Sequence, residues 1–235
     1  MKHRHILYGL VFPCFLAGAA QAATFTGFTG TATASFANPT PTTASYSISN
    51  QDSGGVARIS WGDTSGCWLC TSPSQLDVNG LGSDGVGGWL GILGQPFVLA
   101  TLSYKNGAGS NNIDHLDLNL TGNITGVGSG GLTLGIAVNN TPNTLDPNAS
   151  ADVLTIDSPL PWVDFSVGPD NYRLSVLGFS QDGVNMSPSL SAWEGATASA
   201  GLYGSITAMA VPLPGSLGLM GAGLLGLLGA RRRSA

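Results

Sequence analysis

Between residues 23 and 210 apolar and polar side chains alternate in short runs, and almost nowhere do they repeat with the period of a helix. Residues 115–121, His-Leu-Asp-Leu-Asn-Leu-Thr, show the rule most plainly. Leu116, Leu118 and Leu120 fall on one side of an extended chain, Asp117 and Asn119 on the other. A strand with one apolar face must bury it against a second layer, so the chain is committed to packed sheets. Residues 24–36, 45–49, 56–61, 96–104, 132–138, 152–156, 162–167, 172–179 and 201–210 read as further strands. Pro39 and Pro41 end the first of them, residues 62–94 read as a glycine-rich loop, and residues 139–148 (NNTPNTLDPN) form a turn cluster. About ten to twelve short strands separated by turn signals predict an all-β fold: a single antiparallel β-sandwich, jelly-roll-like. No period of 20–50 residues recurs, which removes solenoids and propellers.

The two ends of the chain obey different rules. Residues 1–22 carry Lys2 and Arg4, then an apolar run, then Ala20-Gln21-Ala22, the pattern of a signal peptide cleaved after Ala22. Cys14 follows Pro13 inside the apolar run, so a lipoprotein signal is not expected. At the other end, residues 211–235 begin Val211-Pro212-Leu213-Pro214, run apolar and uncharged to residue 230, and close with Arg231, Arg232 and Arg233. As a helix, residues 211–230 span about 30 Å, roughly the hydrocarbon thickness of a bilayer, and an arginine cluster favours the cytoplasmic side. The expected topology is Nout–Cin, and two readings fit it: a sorting signal or an ordinary single-span anchor. Gly218, Ala222, Gly226 and Ala230 recur every fourth residue. That stripe either docks a second helix or reflects simple Gly/Ala richness.

The order of short V-P-x-P motif, Gly/Leu-rich helix and terminal arginines resembles the PEP-CTERM signal of Gram-negative bacteria. Val211, Pro212 and Pro214 match that pattern, and Leu213 stands where Glu is usual. The resemblance implies recognition by a membrane-embedded exosortase, with processing near the motif, after delivery by the general secretion machinery. The division is then residues 1–22 signal peptide, 23–210 ectodomain and 211–235 sorting signal.

Composition of the middle segment narrows its partners. Only Arg58, Lys105 and Arg173 remain there as cations, against all thirteen acidic residues of the chain. Nucleic acid is excluded as a partner on this ground, because phosphate binding needs clustered cations. The succession Trp61-Gly62, residues 97–107 (FVLATLSYKNG), residues 141–156, residues 172–179 (YRLSVLGF), Glu194 and residues 202–207 (LYGSIT) resembles the choice-of-anchor K domain of bacterial surface proteins. Relatives of the THxN-type group carry Thr-His-x-Asn where this chain has Ser103-Tyr104-Lys105-Asn106; only the Asn is shared. The resemblance implies location and fold, and no catalytic residues.

Candidate chemistry is sparse. Cys67-Trp68-Leu69-Cys70 is a CxxC whose expected state in an oxidising compartment is a local disulfide, with a redox-active pair and a metal or intermolecular link as alternatives. Zinc would need two more ligands, and residues 23–210 offer only His115 besides. Asp114, His115 and Asp117 form a D-H-x-D cluster that reads as the solvated face of a strand. Asp146, Asn148 and Asp152 in one loop, with Asp157, Asp164, Asp170 and Asp182 near other turns, could supply calcium ligands or simply shape turns. Trp61, Trp68, Trp89, Trp162 and Trp193 are scattered rather than paired. Trp61 reads as core. With no nucleophile motif and one histidine in residues 23–210, the expectation is a non-enzymatic surface or extracellular-matrix protein needing no cofactor. The alternative is a module binding exopolysaccharide, with or without Ca²⁺.

Overall fold

The computed structural model describes residues 27–50, 55–65, 68, 70–81, 88–146, 148–209, 221 and 223. Within them lie thirteen strands: β1 (Gly27–Thr40), β2 (Tyr46–Ser49), β3 (Val56–Trp61), β4 (Ser74–Gly80), β5 (Trp89–Ile92), β6 (Pro96–Lys105), β7 (His115–Ile124), β8 (Gly128–Asn139), β9 (Asp152–Ile156), β10 (Trp162–Val167), β11 (Asp170–Ser180), β12 (Ser189–Ala192) and β13 (Thr197–Ala208). The expected all-β, antiparallel class is what the chain adopts. It forms a six-stranded sheet in the order β12-β9-β8-β7-β1-β5 and a seven-stranded sheet in the order β10-β11-β13-β6-β4-β3-β2. Every pairing in both sheets is antiparallel.

Alternation decides which side chains go inward. On β7 the three leucines of residues 116–120 are buried and Asp117 and Asn119 stay part-exposed. Leu134 and Ile136 of β8 meet them from the next strand. From the other sheet Ile59, Leu76, Val78, Leu102, Leu202 and Ile206 join the same apolar cluster, so one core serves both layers. Each fully buried aliphatic side chain contributes on the order of 1.5–3 kcal/mol.

Backbone bonds also cross between the layers. The Ala32 amide on β1 donates to the Leu81 carbonyl just past β4 at 2.8 Å, and the Gly94 amide donates to the Ile206 carbonyl of β13 at 2.8 Å. Gly80 makes the first crossing sterically feasible, since a Cβ there would run into the Ala32 carbonyl.

Several expectations need correction. Residues 62–94 are not one loop, because β4 and β5 lie inside that stretch. A further strand, β12, sits in residues the alternation passed over. Pro39 does not stop the first strand. The register shifts between Ala37 and Thr40, Asn38 takes φ 49°, and β1 continues to Thr40 around that bulge. A bulge tolerates proline because the amide it lacks would be unpaired there. Among the described residues no helix is long and apolar enough to cross a membrane. The signal peptide with its Ala22 site, the sorting motif Val211–Pro214 and the arginines 231–233 all lie outside the described residues.

Candidate functional site

Polar chemistry gathers in two places, one buried and one open. The buried one is at the end of β6. Tyr104 and Asn106 are both fully buried there. The Tyr104 ring stacks on Trp61 with centroids 5.9 Å apart and planes 13° apart, an arrangement worth roughly 0.5–1.5 kcal/mol beyond its burial. Asn106 is a clamp. Its Nδ2 donates to the Ser150 carbonyl at 2.9 Å and the Ala192 carbonyl at 3.1 Å. Its backbone amide donates to Ala196 at 3.0 Å, and its carbonyl accepts from Gly195 at 2.9 Å. One side chain thus fastens the approach to β9 and the β12–β13 turn to the end of β6.

Two acids complete that end. Asp152, at the start of β9, accepts from the Thr141 amide at 2.7 Å and the Thr141 hydroxyl at 3.0 Å. Both carboxyl oxygens of Glu194 are shielded and without a hydrogen-bond partner, as are the Asn106 Oδ1 and the Tyr104 hydroxyl. Burial pushes the Asp152 carboxyl above its ordinary range, and the Thr141 bonds only partly offset this. Glu194 is raised by burial and then by the charge of Asp152. Tyr104 is raised by burial first and by Asp152 second, although the contact with Asp152 falls short of hydrogen-bond geometry. Burial thus disfavours charge on both acids at this end of the molecule.

The open place is the outer face of the seven-stranded sheet, where a groove of about 580 Å³ crosses β3, β4, β6 and β13. Strand register builds it. Arg58 lies opposite Asp77, Asp77 opposite Ser103, and Ser103 opposite Ser199, giving one row across four strands. The neighbouring row runs Asn79, Thr101, Gly201. Arg58 binds Asp77 through two bonds, Nε at 2.7 Å and the terminal nitrogen at 2.8 Å. The Tyr203 ring folds over Gly201, where an added Cβ would come within 2.7 Å of Cε2. Its hydroxyl abuts Gly183, where an added Cβ would lie 3.1 Å away.

The structure disperses most of the residues singled out by sequence. Cys70 is disulfide-bonded and buried, and Cys67 lies outside the described residues. Asp114, His115 and Asp117 make no common site. His115 Nε2 meets Asp157 Oδ2 at 3.0 Å, while Asp117 accepts from Asn38 at 2.7 Å. The remaining aspartates hold local geometry: Asp146 accepts from the Asn148 amide, Asp164 binds Arg173 at 2.7 and 2.9 Å, and Asp182 accepts from Ser180 and from the amides of Val184 and Asn185. Those bonds hold Asp182 well below the usual carboxylate range. Asp170 opens β11. Among the described residues no three His, Cys, Asp or Glu side chains come together as a metal site. Trp61 and Trp89 are core, whereas Trp68, Trp162 and Trp193 are exposed, and Arg173 lies 5.0 Å over the Trp162 ring.

Sequence reasoning missed the groove entirely. Its rows join residues more than a hundred positions apart, and only strand order brings them together. The buried end left a faint trace, in that Tyr104, Asn106 and Glu194 all fall in the segments resembling the surface-protein domain.

No curated protein matches this sequence. One family description does match, the PEP-CTERM protein-sorting motif, over residues 210–233. The chain therefore carries a PEP-CTERM sorting signal directly after the last strand of its β fold.

Proposed function

We propose that this is an exported protein whose β domain, a jelly-roll-like sandwich, is delivered to the cell surface or extracellular matrix by an exosortase and acts there as a structural or interaction protein without catalysis. The observation that carries the reading is the sorting motif at residues 210–233. In this reading residues 1–22 leave after Ala22, and the tail is processed near Val211-Pro212-Leu213-Pro214. Until then the apolar run holds the chain in the cytoplasmic membrane, with Arg231, Arg232 and Arg233 inside. Cys67 and Cys70 pair with each other to close the loop ahead of β4. The absence of catalysis is supported by the engagement of Asp77, Asp146, Asp164 and Asp182 with arginines or turn amides.

The test is the intact mass of the protein recovered from its host. A species starting at Ala23 and ending near residues 211–214 is expected. A mass that includes Ala235 would mean a plain membrane anchor and would overturn the sorting step. The second reading, an exopolysaccharide-binding module, is favoured by the groove on the seven-stranded sheet. A calcium-dependent form of it has less support, since the aspartates are engaged separately.

A further inference from the structure

We propose that the groove on the outer face of the seven-stranded sheet binds a neutral polysaccharide chain, with the Tyr203 ring as the surface on which a sugar ring stacks. Sugar rings carry two chemistries. Their rims are hydroxyls that need hydrogen-bond partners at about 2.7–3.0 Å, and their faces are C–H surfaces that pack on the electron-rich face of an aromatic ring. The groove offers both. Its floor is set with the hydroxyls of Ser103, Ser199 and Thr101, and Tyr203 supplies the ring.

The ring is pre-set for that role. Gly201 gives it room on the sheet, and Gly183 limits its hydroxyl end, so little freedom is lost on binding. The volume of about 580 Å³ falls inside the roughly 300–1,000 Å³ range of ligand sites. Four strands set about 4.8 Å apart give a path of roughly 14 Å, open across the sheet and long enough for linked sugars.

Charge selects neutral chains. Among the described residues lining the groove the one cation, Arg58, is already bound at two points by the one anion, Asp77. An anionic ligand that drew Arg58 away would leave Asp77 with the neutral Gln75 amide in place of a charged partner, and it would also face a domain with three basic residues against thirteen acidic ones.

The inference rests on the polysaccharide-binding reading of this groove, names the class of chain and the stacking residue, and does not depend on how the tail is processed. The full chain, held in detergent, is run in affinity electrophoresis against laminarin, dextran and galactomannan, with alginate as the anionic probe. Binding to at least one neutral polysaccharide is expected. Tyr203→Ala should weaken it by about tenfold or more, Tyr203→Phe should stay within about threefold of wild type, and Trp68→Ala should leave it unchanged. Thermal melts of the variants establish that each is folded. Binding to none of the neutral probes, binding to alginate alone, or binding that survives Tyr203→Ala in a folded variant would overturn the proposal. Intact-mass results on the tail would stand whichever way this came out.

Discussion

The two sheets share one core but present unlike outer faces. On the six-stranded sheet several outward side chains are bonded to one another: Thr133 donates to Asn119 at 2.7 Å, Asn38 to Asp117 at 2.7 Å, and His115 meets Asp157 at 3.0 Å, while Leu90 and Ile92 of β5 stand exposed at its edge. The seven-stranded sheet carries all three basic residues of the segment 23–210, Arg58 on β3, Lys105 on β6 and Arg173 on β11. It also carries both two-point arginine–aspartate pairs and the groove. In a segment so poor in cations, their confinement to one layer gives the two outer faces different electrostatics.

That contrast requires the layers to be held in fixed alignment, and the largest predicted effect tests this. Gly80→Val would force a side chain into the Ala32 carbonyl and part the sheets. A loss of about 3 kcal/mol is expected in urea unfolding. Gly130→Ala on β8, with open space around it, should be close to neutral. Equal losses from the two would mean that the crossing bond is not what aligns the layers.

Next come the outer faces themselves. Asp77→Ala removes the partner of Arg58 and should cost about 1 kcal/mol, less at high salt. Thr133→Ala on the other sheet should cost about 0.5 kcal/mol with no salt dependence. If salt moved both variants alike, the electrostatic difference between the faces would be gone.

The smallest effect has the opposite sign and lies at the end the two sheets share. Glu194 is raised in the folded state by burial and by Asp152. The folded chain therefore holds that proton more tightly than the unfolded one. Stability from this group is fully present below the ordinary glutamate value of 4.5 and is lost as pH rises through the folded value. Glu194→Gln should melt slightly higher than wild type at pH 7, with the gap closing toward pH 4. A gap that stays constant with pH would show that the Glu194 charge carries no penalty.

Much of the fold was legible because burial on one side writes itself as period two. Val56–Trp61, Asp152–Ile156 and Trp162–Val167 were readable to their ends. β4 has the same signal in Leu76 and Val78, but it is short and sits among glycines and cysteines that argue for loop. β5 defies the rule, since Trp89 and Gly91 point inward while Leu90 and Ile92 face solvent. The buried end was half legible. Asp152 could be seen as a loop acid, but its burial depends on loops that Asn106 ties down from elsewhere in the chain. The groove was not legible at all, because Arg58, Ser103 and Ser199 become neighbours only through register.

The position of β13 has a mechanical consequence. It is an interior strand, paired with β11 on one side and β6 on the other, and it ends at Ala208, two residues before the sorting motif begins at 210. Met209 is itself bonded to the Asn171 carbonyl at 2.8 Å. A pull from a membrane-held tail therefore runs along a strand gripped on both sides, and loads two ladders in shear at once. An edge strand would peel one bond at a time. A membrane-held tail is thus coupled to a strand gripped on both sides.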